Sequence, residues 1–153
     1  MLKPVSKQSC VTTVSLEDTA LDIAGSDMPS YHENVINNPG CWREFLKVKD
    51  GESPTVFTIG VVPSEVAVRI EDECRAGLDG MRHEEVRWRY FLHSVRGIDG
   101  WPEEPKKTKI GDTEYIAPDW LKSTFIKNLR LVALEIGTRA YLWNQLSEDD
   151  VKK

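Results

Sequence analysis

The sequence predicts an α+β fold: a small sheet centred on one N-terminal β-hairpin, packed against a mostly helical C-terminal half with one long helix. Three observations predict it. Residues 42–62 alternate or run apolar on either side of a KDGESP reversal. Apolar residues recur every three or four positions from Leu121 to Trp143. Between these stretches, residues 64–95 carry two shorter runs of helical spacing.

Taken in order, residues 1–30 are rich in Ser, Thr and Asp with scattered aliphatics. VTTVSL has the length of a short strand, but the segment as a whole is expected to be loose or ordered by a partner. Residues 31–153 are expected to form a single α+β domain. NNPGCW marks a turn into the first strand. There Trp42, Glu44, Leu46 and Val48 point to one side, and Arg43, Phe45 and Lys47 to the other. TVFTIGVV, β-branched and aromatic, is the return strand, with Gly60 marking a bulge or a close backbone approach. A hairpin alone is marginal in water, so a third strand or a helix must cover it.

Ser64 is placed to cap the first helix, whose Val66, Ile70 and Cys74 share a face and whose stop is Gly77. A second helix is expected from Met81 to Val95, with Trp88, Phe91, Leu92 and Val95 as its apolar stripe. The Pro- and Gly-rich stretch that follows excludes a long element, although TKIG and TEYI can pair around Gly111-Asp112. Pro118 opens the third helix, which runs to Leu146 and is roughly 40 Å long at 1.5 Å per residue. Leu121, Phe125, Val132, Ile136 and Trp143 form its expected seam, and Gly137 is the expected kink. That seam outlasts the elements available to cover it. Its end is therefore expected to fold back or to meet a second copy, with Tyr141, Leu142 and Trp143 at the contact.

The 153 residues carry a formal charge of −5, which argues against a dedicated nucleic-acid binder. Residues 1–80 hold 7 Lys and Arg against 13 Asp and Glu. No apolar run reaches membrane-spanning length, and the first twenty residues lack the apolar middle of a secretory signal. Cys10, Cys41 and Cys74 are odd in number and far apart, as expected for reduced thiols in a cytoplasmic compartment.

Chemical motifs are sparse. His32, His83 and His93 share no helix face, and there is no HExxH, CxxC, GxSxG or phosphate-cradling glycine pattern. Glu71, Asp72 and Glu73 are consecutive on a helix and fan apart, as a solvated face does. No metal, cofactor or catalytic residue is expected, and the protein is read as non-enzymatic. RHEEVRWRYFLHSVR interleaves Arg82, Arg87, Arg89 and Arg96 with Trp88, Tyr90 and Phe91. Such a helix either turns its aromatics to the core and pairs its arginines with Glu84 and Glu85, or offers Arg87 and Arg89 to a partner. Trp101, on a Pro/Gly-rich loop, either plugs the core or stands out as an anchor. The candidate partner contacts are thus Arg87, Arg89, Trp101, Tyr141, Leu142 and Trp143.

A Trp-led strand, a charged turn, PTVFTI and a Pro-initiated helix, with YLWNQLSEDDVKK near the end, resemble small accessory proteins of tailed bacteriophages. The nearest class is the tail assembly chaperones, and the resemblance covers residues 42–98 and 118–150. It implies a protein that keeps the tape-measure protein in solution and recruits tail-tube subunits in the bacterial host cytoplasm, or a tail or head component associated with the virion. Such proteins act through surfaces, so no catalytic residue is implied. A small viral inhibitor or adaptor of a host protein, and a nucleic-acid-binding accessory protein, are the alternative expectations.

Overall fold

The computed structural model describes residues 10–75 and 82–152, with side chains as far as residue 145 in the last helix. The α+β class holds. In chain order the elements are β1 (Cys10–Thr13), β2 (Leu21–Asp22), α1 (Met28–Val35), a short 3-10 turn (Pro39–Cys41), α2 (Trp42–Phe45), β3 (Lys47–Val48) and β4 (Val56–Gly60). Then follow α3 (Ser64–Glu73), α4 (His83–Ser94), β5 (Val95–Asp99), β6 (Lys107–Ile110), β7 (Thr113–Ile116), α5 (Pro118–Phe125) and α6 (Arg130–Lys152). The expected Gly77 stop and Met81 start lie outside the described residues, as do residues 1–9 and Lys153.

The sheet is built differently from the expected hairpin. β4 is its middle strand, antiparallel to β1 on one side and to β5 on the other. Residues 42–45 are a helical turn, closed by the Leu46 N–H donating to the Trp42 carbonyl at 2.9 Å. The reason lies in the spacing. Trp42 and Leu46, both buried, are four apart, a separation that fits one face of a strand and one face of a helix equally well. Asn38 decides between them, because its side chain accepts from the Gly40 N–H at 3.2 Å and Pro39 starts the turn. β3 pairs instead with β2, from the segment expected to be loose. From Cys10 onward that segment is held by this chain's own elements.

β5 skips a residue where Thr58 faces Gly97 and Ile59 faces Val95, so Arg96 is the bulged residue. Its guanidinium lies over the Tyr115 ring, 4.7 Å from the centroid, and passes where a side chain on Gly60 would stand. Gly60 thus serves a close approach, and the bulge itself sits on the neighbouring strand. β6 and β7 form the expected hairpin, with Gly111 at φ +62 as the first of its two loop residues.

The expected 118–146 helix is two helices. Ile126 closes α5 with its N–H on the Lys122 carbonyl at 3.1 Å, and α6 restarts at Arg130. Asn128, whose side chain competes for backbone partners, sits in the break. Arg130 then pairs with Glu84 at 2.9 Å and lies 5.5 Å over the Trp88 ring, which sets where α6 meets α4. Gly137 causes no interruption, because α6 runs through it. A Cβ there would stand 1.9 Å from the Arg87 carbonyl oxygen, so glycine is what lets α6 lie against α4. The inner face of α6 is accordingly narrower in its side chains than the expected seam: Ala133, Ile136, Gly137 and Ala140 are buried, whereas Val132 and Trp143 are half-buried.

Two apolar clusters result. The larger gathers Phe57, Ile59, Phe91, Val95, Leu121, Phe125 and Ile136 between sheet and helices. The smaller holds Val14, Leu21, Tyr31, Val35, Trp42 and Leu46 in the N-terminal region.

Candidate functional site

An open cleft of about 240 Å³ lies where the N-terminal segment meets the larger cluster. Its apolar wall comes from β4 (Phe57), the β5–β6 connection (Trp101), α5 (Phe125) and α6 (Val132). Trp101 stacks on Phe125 with centroids 5.2 Å apart and meets Trp120 edge-on at 6.3 Å. Of the two readings of this residue, the structure gives something between: one face is packed inward, and the half-buried ring also lines the cleft. The opposite rim is polar, formed by Ser15, Glu17, Asp18 and Thr19. Asp18 is held in place by the N–H groups of Ala20 and Thr55, at 2.9 and 2.7 Å. Glu17 is exposed.

The rim is positioned by a buried ionic latch. Arg139, 8% exposed, donates to Thr13 Oγ1 at 3.0 Å, to the Val14 carbonyl and to Glu135 at 2.9 Å. Glu135 in turn accepts from Ser15 Oγ at 2.5 Å and from the Leu16 N–H at 3.0 Å. The guanidinium stands 5.7 Å over the Tyr31 ring. Burial raises the Tyr31 phenol above its ordinary value, with the Arg139 charge opposing the rise. Helix α6 thereby clasps the N-terminal segment through charge-assisted bonds.

The remaining candidates are scattered. Arg87 is exposed on α4. Arg89 is engaged by Glu73 and, at 3.1 Å, by Glu85, so its side chain is committed to a helix–helix contact. Arg96, the last arginine of this stretch, is packed on Tyr115. Tyr141 meets Tyr90 edge-on at 5.1 Å. Leu142 lines a hollow of about 280 Å³ with Val35 and Ile36, and Trp143 is half-buried. Asn144, fully buried, accepts from the Val62 N–H at 3.1 Å, so α6 packs on its own chain at least this far.

Sequence reasoning missed Ser15, Asp18, Glu135 and Arg139. The signal for the latch was present as a Glu135/Arg139 pair at i, i+4, a spacing that on most helices marks a solvated face. Cys74 is buried as expected of a small hydrophobe, and burial pushes its thiol up. Among the described residues no three His, Cys, Asp or Glu side chains are grouped to hold a metal, and no helix is long and apolar enough to cross a membrane.

No family model, no curated protein and no solved structure gives a significant match to this chain.

Proposed function

We propose that this chain is a non-catalytic binding protein of tailed-phage morphogenesis, acting in the bacterial host cytoplasm as the tail assembly chaperones it resembles do. The observation that carries the reading is the cleft at Trp101, with an aromatic wall facing an acidic rim. A surface of that kind takes an apolar anchor side chain flanked by Lys or Arg, because the ring wall desolvates the anchor and Glu17 attracts the neighbouring charge. An extended, partly apolar segment of a tape-measure or tail-tube protein supplies both. The N-terminal excess of Asp and Glu favours such a partner over nucleic acid.

Coexpression with the tail proteins of the same phage tests this. The tape-measure or tail-tube protein is expected to co-purify, and Trp101→Ala or Glu17→Lys to weaken the complex at least about tenfold. Recovery of a host regulator in place of tail proteins would replace tail assembly with the inhibitor reading. Undiminished binding by Trp101→Ala would remove the cleft from the account.

A further inference from the structure

Helices α3, α4 and α5 line a second open hollow, of about 320 Å³, that shares no residue with the Trp101 cleft. Its floor is apolar, with Ile70 and Trp88 buried and Leu92 half-buried. Its walls bring cations from three different helices: Arg69 from α3, Arg89 from α4 and Lys122 from α5. The two carboxylates that also line it, Glu73 and Glu85, are both engaged by Arg89. Arg69 and Lys122 make no ion pair among the described residues.

His93 shares this wall. Its imidazole is held below the ordinary value of 6.5, first by burial and then by the Arg69 and Arg89 charges. It is therefore neutral near pH 7 and keeps one N–H to donate. With Glu73 and Glu85 both taken by Arg89, the three cations outnumber the two carboxylates and leave the hollow net positive. An anion balances that charge.

We infer that this hollow binds an anionic group carried on an apolar body, a carboxylate or phosphoryl group seated among Arg69, Lys122 and His93 with its carbon framework against Leu92 and the edge of Trp88. Guanidinium suits the flat, two-oxygen face of either anion, and the Lys122 ammonium adds a point charge. The floor selects a ligand with carbon to bury over a bare ion. A free small molecule and the acidic side chain of a bound protein, beside an apolar one, share this chemistry.

The test follows the His93 imidazole by NMR in the full chain, with the exposed His32 and His83 as internal references. Inorganic phosphate, phenyl phosphate and a capped Leu-Glu-Leu peptide are the probes. Phenyl phosphate or the peptide is expected to give a saturable shift confined to His93, at least about tenfold tighter than inorganic phosphate. The bound anion should also raise the pH at which His93 titrates, since an added negative charge favours imidazolium. Whichever of the two binds more tightly identifies the source, a free ligand or a protein side chain. Lys122 is exposed, so Lys122→Ala keeps the fold and is expected to weaken binding at least about tenfold; Arg69→Gln is the second variant. Shifts that move all three imidazoles alike, binding no tighter than inorganic phosphate, or a Lys122→Ala protein that binds as the parent does would each overturn the site.

Discussion

Around Phe125, the rings of Phe57, Phe91 and Trp101 stand with centroids 5.0 to 6.0 Å from its own. Around Arg139, by contrast, the N-terminal segment is held by one guanidinium, one carboxylate and the hydroxyls and backbone of residues 13–16. The first region is a packed apolar core whose members come from β4, α4, α5 and the connection after β5. The second is a strap that, besides the β1–β4 pairing and its own small apolar cluster, is fastened to α6 by a few directional bonds. Apolar packing is distributed over many weak contacts, so losing one ring leaves the others in place with a cavity. A buried ion pair concentrates its effect in two side chains, and losing one strands the other. The cleft proposed as a binding site lies on the seam between the two regimes, with Phe57, Trp101 and Phe125 from one and Glu17 and Asp18 from the other.

Four measurements separate the packed core from the latched strap. The largest effect is expected for Phe125→Ala, about 4 kcal/mol by denaturant unfolding, because the residue is fully buried among three rings. A loss below about 1 kcal/mol would show that the aromatic cluster is not what holds the helical half. Gly137→Ala follows, with a loss of about 3 kcal/mol, since the new methyl must push the Arg87 carbonyl and with it α4 aside. Helix propensity alone favours alanine by about 1 kcal/mol, so a net gain in stability would mean that α4 and α6 have room to part.

For the strap, Arg139→Met is expected to cost about 2–3 kcal/mol by leaving the Glu135 carboxylate without its partner. Limited proteolysis should then cut first within residues 14–30, beyond the β1–β4 pairing. Adding Glu135→Leu removes the stranded carboxylate but also the acceptor of Ser15 Oγ and the Leu16 N–H, so it should restore only part of the loss. Equal protection of residues 14–30 in the single variant would remove the latch from its role.

The smallest effect is a slope with pH. The His93 imidazole in the folded chain titrates below its ordinary 6.5, so between the two values the unfolded chain binds the extra proton. Stability therefore falls as the pH drops through that window and is retained above it. His93→Gln should flatten this part of the profile. An unchanged slope would place the acid sensitivity of the helical half elsewhere.

Sequence periodicity alone determined the helical half well. Ile70, Trp88, Phe91, Leu121, Phe125 and Ile136 were all legible as buried stripes, because helical spacing is a local property of the chain and the structure buries each of them. The β6–β7 hairpin was legible for the same reason, from one Gly-Asp turn between two short β-prone runs. What surrounds β4 was decided only in three dimensions. A four-residue spacing such as Trp42 to Leu46 suits strand and helix alike, and the strands that flank β4 instead, β1 and β5, pair with it from 36 to 50 residues away along the chain. The same holds for the latch and the cleft. Arg139 and Ser15 are ordinary surface residues by composition, and only the docking of α6 against β1 and the chain that follows it turns them into a buried network. Gly137 is the clearest single case: its missing side chain reads as a weak point along the chain, whereas the Arg87 carbonyl of the neighbouring helix stands where any side chain would begin.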